Sequence, residues 1–129
     1  CRAIKSRHLF CPALAVHYIC KQVIYYTTMN LQSIIDIVRK YLATKPVSKA
    51  WLFGSYSRNE QTPGSDIDLL LRYDENSNVS LFTIGEIYMD LRSLLGADVD
   101  IVEEGTMRPQ IEEKVNKDKI LIYERQDKR

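Results

Sequence analysis

Asp66 and Asp68 stand one residue apart in "GSDIDLLLRY", a run that otherwise reads as a buried strand. On a strand, residues i and i+2 project to the same side, so the two carboxylates would stand side by side while Ile67 and Leu69 enter the opposite face. Carboxylates so placed repel, and without a cation between them one tends to be protonated at a cost in stability. A divalent ion removes the conflict: Mg²⁺ prefers hard oxygen ligands and commonly uses one or two carboxylates together with substrate phosphates.

The complementary half lies upstream, in "GSYSRNE". Gly54 allows the backbone to come close to a phosphate, and the amides and hydroxyl around Ser55, with a helical turn from Ser55 to Glu60 behind them, would hold phosphate oxygens. Triphosphate and metal would meet between two adjacent strand ends. In two-metal phosphoryl or nucleotidyl transfer, ions ~3.5–4 Å apart stabilise the attacking and leaving oxygens of an in-line displacement. A third carboxylate then helps to hold the ion that activates the nucleophile. Asp100 in "VDIV" is the candidate, with Asp98 on the same strand side as the fallback.

Composition narrows the chemistry further. The 129 residues suit one domain with one modest core. All three cysteines (Cys1, Cys11, Cys20) and both histidines (His8, His17) precede Met29. A Cys or His nucleophile, a Ser/His/Asp arrangement and a Cys/His zinc site are thereby excluded from the remaining 101 residues. The formal net charge of +1 is uneven: residues 1–28 hold four basic and no acidic residues, and the rest hold 14 basic against 17 acidic. A slightly acidic body with no basic stripe argues against direct nucleic-acid binding. Residues 1–28 are read as a non-native or dispensable extension, with an additional element or a targeting segment as alternatives. Their apolar run is too short and interrupted to span a membrane. Residues 29–129 are read as the catalytic domain.

The elements that must position these residues follow from periodicity. In "NLQSIIDIVRKYLATKP", Leu31, Ile34, Ile35, Val38, Tyr41 and Leu42 recur at helical spacing, with Asn30 as a cap and Pro46 as a stop. "VSKAWLFG" reads as a short buried strand, and the triple leucine of "DIDLLLRY" predicts a second strand buried on both faces. Leu81, Ile84, Ile87, Leu91 and Leu94 are expected on one face of a helix capped by Gly96, followed by the strand "DVDIV". "RPQIEEKVNKD" reads as a helix with Pro109 in its first turn, and "KILIYE" as a strand or packed extension. This order predicts an α+β fold, a small mixed sheet with helices packed on it.

Gly-Ser, ten residues, then Asp-x-Asp is the spacing of Gly54-Ser55, residues 56–65, and Asp66/Asp68. On these residues the chain resembles the minimal nucleotidyltransferases of the DNA polymerase β-like superfamily, from about Leu31 to Tyr123. The resemblance implies the polymerase β-like palm fold, ATP as substrate and two Mg²⁺ ions on Asp66, Asp68 and Asp100. Gly54 and Ser55 would contact the nucleotide, and Arg58 and Ser65 are further candidates; a solvent-facing arginine and a loop cap are the plainer readings of those two. Family loops often read Gly-Ser-x-Ala-Arg-Gly. Here Ser57 and Asn59 flank Arg58, and asparagine tolerates the left-handed angles of the glycine it replaces.

Short single-domain members resemble antitoxins encoded beside a HEPN-type ribonuclease toxin. The implied reaction is cytoplasmic transfer of AMP from ATP to a toxin tyrosine, with release of pyrophosphate. Two alternatives are a non-catalytic antitoxin that acts by binding its toxin, and a small-molecule transferase of the aminoglycoside type. The latter would need a further substrate-binding domain. Glu103 and Glu104 are expected to be a solvated strand end, and tyrosines such as Tyr56 to pack at the core or its rim.

Overall fold

A computed structural model describes residues 30–126; the readings made for residues 1–28 lie outside these. The element order is helix α1 (Leu31–Leu42), strands β1 (Val47–Phe53) and β2 (Ile67–Tyr73), helix α2 (Leu81–Leu95), strand β3 (Val99–Glu103), helix α3 (Pro109–Asp118) and strand β4 (Ile120–Glu124). The strands form one sheet in the order β3-β2-β1-β4. β1 runs antiparallel to both β2 and β4. β2 and β3 are parallel, and α2 makes the crossover between them, as a parallel pair requires. The fold is α+β, with a mixed four-stranded sheet and three helices.

Leu69, Leu70 and Leu71 are all buried, so the triple leucine does place apolar side chains on both faces of β2. Leu52 pairs with Leu69, and Trp51 with Leu70. Strand alternation therefore sends these two pairs to opposite sides. Trp51 and Leu70 cluster with Val115 of α3, and Phe53, Val102 and Met107 pack around them. The other side takes the fully buried Ile34, Val38 and Leu42 of α1 and Ile87 and Leu91 of α2. These two helices lie side by side: Tyr41 Oη donates to Asp90 Oδ2 at 2.5 Å, and Lys45 pairs with Glu86 at 3.0 Å. Leu91→Ala removes a fully buried side chain from this layer and is expected to lower the unfolding free energy by about 3 kcal/mol in a urea titration.

The α2 stripe differs at its ends from the sequence reading. Ile87, Leu91 and Leu95 are buried, whereas Leu81 is 85% and Leu94 52% exposed. Leu81 opens the helix, ahead of the turns that meet the sheet, and Leu95 takes the inward place at the last turn. Gly96 caps the helix as expected, with φ of 60° and its N–H donating to Arg92 O at 3.0 Å. At the other end Ser80 and Thr83 bond reciprocally as a capping box, a signal present in "SLFT" that the periodicity reading passed over. Pro109 sits in the first turn of α3, and "KILIYE" forms the edge strand β4.

Candidate active site

The register of the parallel pair sets Asp68 opposite Asp100. It also places Phe53, the last residue of β1, opposite Asp68. Asp68 thus lies in the second row of β2, flanked by the end of β1 and the start of β3, on the side of the sheet that carries Leu70 and α3. The chain leaves β1 through Gly54, which has φ of 74°. A Cβ at Gly54 would fall 2.1 Å from Asp68 Oδ2, so only glycine lets the backbone run this close to that carboxylate.

Beyond Gly54 the chain makes a tight turn rather than a helix. Ser57 N and Arg58 N donate to Gly54 O at 3.1 and 3.3 Å, and Glu60 N closes the loop on Ser55 O at 2.9 Å. Asn59 takes the left-handed conformation, φ 57°, that its family counterpart would reach as glycine. Ser57 Oγ is spent on Gly54 O at 2.7 Å. The Ser55 hydroxyl has no hydrogen-bond partner among the described residues. Ser65 closes a separate turn: its hydroxyl accepts from Thr62 N at 2.8 Å, while its own N–H donates to Thr62 O at 2.9 Å. The loop-cap reading of Ser65 is therefore the one its contacts describe.

The three carboxylates are not equivalent. Asp68 and Asp100 stand opposite each other across β2 and β3, and the charges of Asp100 and Asp66 both act on Asp68. Burial, followed by repulsion from Asp100 and Asp66, pushes the Asp68 carboxyl up to about 6. Asp66 precedes the first strand residue, Ile67, and is exposed, so strand alternation does not fix its side chain. Among the described residues, no three carboxylate, histidine or cysteine side chains close into a group that could hold a metal ion. The expected triad is thus a facing pair, Asp68 and Asp100, with a third acid at its margin. Asp98, the fallback, is drawn away into an ion pair with Arg92 at 3.0 Å. Glu104 is held by Arg72, with Nη2 donating to Oε1 at 2.9 Å, and that guanidinium keeps its carboxyl below the usual range.

Because the Asp68 value in the fold exceeds its ordinary 3.8, the bound proton favours the folded chain. That contribution is complete below about pH 3.8 and is lost as pH rises through about 6. The melting temperature of metal-free Asp68→Asn should accordingly exceed that of the wild type by a few degrees near pH 7.5. The gap should shrink toward zero near pH 4, as read by calorimetry in chelator.

Arg58 lies on the same turn, but its guanidinium is engaged. Nε donates to Glu60 Oε2 at 2.9 Å, and Nη1 donates to Asp118 Oδ2 at 3.0 Å. Its charge nonetheless acts on Asp68, lowering the carboxyl against its acidic neighbours. Asp118 was not singled out by the sequence. It lies 60 positions from Arg58, and no spacing rule connects the two. Tyr56 is half-buried at the rim, as expected.

This geometry has counterparts. Residues 32–128 match the profile of the family described as polymerase beta, nucleotidyltransferase. A protein of Methanocaldococcus jannaschii that carries the provisional name protein adenylyltransferase is 40% identical over 99 residues, 73% of this chain and 97% of that one. A solved structure provisionally named a minimal nucleotidyltransferase superposes with a TM-score of 0.61 at 30% identity, over 72% of this chain and 96% of its own. The fold is also that of a chain in the complex of tri-AMPylated Shewanella oneidensis HEPN toxin with MNT antitoxin. That match has a TM-score of 0.55 at 22% identity, over 73% of this chain and 72% of that one. A profile match over three quarters of the sequence, with the Gly54 turn seated on the Asp68/Asp100 pair, places the chain in the polymerase β nucleotidyltransferase family.

Proposed function

We propose that this protein transfers AMP from ATP to a tyrosine of a HEPN-family toxin and so acts as the antitoxin of a toxin–antitoxin pair in the cytoplasm. The observation that carries the proposal is the Gly54 backbone against the Asp68 carboxylate, itself paired with Asp100 across β2 and β3. The M. jannaschii relative named for protein adenylyl transfer and the AMPylated HEPN toxin bound by a chain of this fold supply the direction of the chemistry.

Hard oxygen donors, where burial and mutual repulsion lift Asp68, suit a divalent cation. Asp68 and Asp100 would hold Mg²⁺, with Asp66 joining from the loop. When bound, Mg²⁺ supplies charge for the triphosphate and lowers the pKa of the attacking hydroxyl. The chain's own part is placement. The Gly54 turn brings the Ser55 hydroxyl to the phosphates with no side chain in the way, and Arg58 adds a cation beside them. The acceptor hydroxyl oxygen forms the new bond to the α-phosphorus as the bond to pyrophosphate breaks. Asp100, exposed and opposite Asp68, would take the hydroxyl proton. Asp66 and Asp100 are both exposed, which suits an acceptor carried on another protein.

Intact-mass spectrometry of a HEPN toxin partner, incubated with this protein, ATP and Mg²⁺, is the test. Mass gains in whole AMP units are expected with the wild type and not with Asp66→Asn or Asp68→Asn. A toxin that stays unmodified while bound and silenced would replace this proposal with neutralisation by occlusion.

A further inference from the structure

Arg58 is gripped by two carboxylates from distant parts of the chain: Glu60, in its own turn, and Asp118, the last residue of α3. The Asp118 contact does little for α3 itself. An acid at a helix C-terminus faces the negative end of the helix dipole, and exposed ion pairs contribute little to stability. The side chains here are 39% and 28% exposed. What the pair does is favour one plane: a guanidinium held at Nε and at Nη1 is less free to rotate about its stem. Nη2 has no hydrogen-bond partner among the described residues. This cation acts on Asp68, the carboxylate against which Gly54 is seated.

We infer that Asp118 is a positioning residue: by holding Arg58, it keeps the free Nη2 edge turned toward the phosphates of a nucleotide bound on the Gly54–Glu60 turn. Asp118 does not touch the nucleotide. Its effect is to remove, before binding, the rotamer freedom that a long arginine would otherwise lose on contact with phosphate. The inference rests on the nucleotidyltransferase reading of the turn, and assigns the C-terminal end of α3 a role in substrate affinity.

The test is an equilibrium titration of the full chain with ATP in Mg²⁺, by calorimetry, for the wild type, Asp118→Asn, Arg58→Ala and the double variant. Asp118→Asn should weaken binding about tenfold, and Asp118→Glu should restore most of it. Arg58→Ala should weaken binding at least as much, and the double variant should bind no more weakly than Arg58→Ala alone, because Asp118 acts only through Arg58. The melting temperature of Asp118→Asn should stay within about 2 °C of the wild type, which separates positioning from a loss of fold. Unchanged or tighter ATP binding by Asp118→Asn, or multiplying effects in the double variant, would overturn the inference. Toxin AMPylation measured on the same samples distinguishes the two readings. The expected binding cycle without any transfer would retire the proposed reaction and leave the Asp118 role standing, whereas absence of ATP binding by the wild type would remove both.

Discussion

Asp68→Asn should keep the fold and lose AMP transfer by about a thousandfold or more, equivalent to roughly 4 kcal/mol of transition-state stabilisation. Asparagine preserves the shape of the side chain and can donate to Asp100, so the β2–β3 register has no reason to change. On the proposed reading, what disappears is one of two anionic donors for the cation, together with the burial and repulsion that lift the Asp68 carboxyl. The same substitution is expected to stabilise the metal-free chain near neutral pH. A variant that is more stable and inactive is the signature of a site whose charges are kept for function at the expense of the fold. Circular dichroism with a single-turnover assay checks both halves, and transfer retained within tenfold would remove Asp68 from the reaction.

Gly54→Ala should be nearly as damaging to activity, for a steric reason. Its φ of 74° strains any L-residue, at about 1–2 kcal/mol, and its Cβ would lie 2.1 Å from Asp68 Oδ2. The atom in the way ends a short side chain facing Asp100, so the strain is relieved by turning Asp68 away from it. Transfer is expected to fall about a hundredfold or more, with only a modest loss of stability. Gly64→Ala is the matched control. That residue also has positive φ, 99°, yet no atom lies within 4 Å of its added Cβ. It should show the backbone cost and retain transfer. Equal activity loss in both variants, measured at matched folded fractions, would show that the turn's flexibility matters rather than the Gly54–Asp68 contact.

Local pattern carried much of the fold. Ile34, Val38 and Leu42 recur at helical spacing and are all buried. The triple leucine signalled a strand covered on both sides, and Gly96 and Pro109 mark helix ends through backbone chemistry that acts within a few residues. The same reading overreached at Leu81 and Leu94. Periodicity identifies a stripe but not how far along a helix the sheet extends, because that depends on partners distant in the chain.

The site divides in the same way. Gly54, Ser55, Asp66 and Asp68 lie within fifteen residues, and their types and spacing alone pointed to phosphate and metal chemistry. Asn59 was legible too, since its left-handed backbone answers to the residue type. Which of Asp98 and Asp100 lies beside Asp68 was decided by tertiary structure. Parallel pairing in one register brings Asp100 beside Asp68, while Arg92 at the end of α2 takes Asp98. Tertiary structure also set Asp66 at the margin, because sheet pairing begins only at Ile67. It joined Asp118 to Arg58 as well, across 60 positions of sequence. Local sequence determines backbone preference and chemical type; which charges meet depends on strand register and helix ends that come together only when the sheet is assembled.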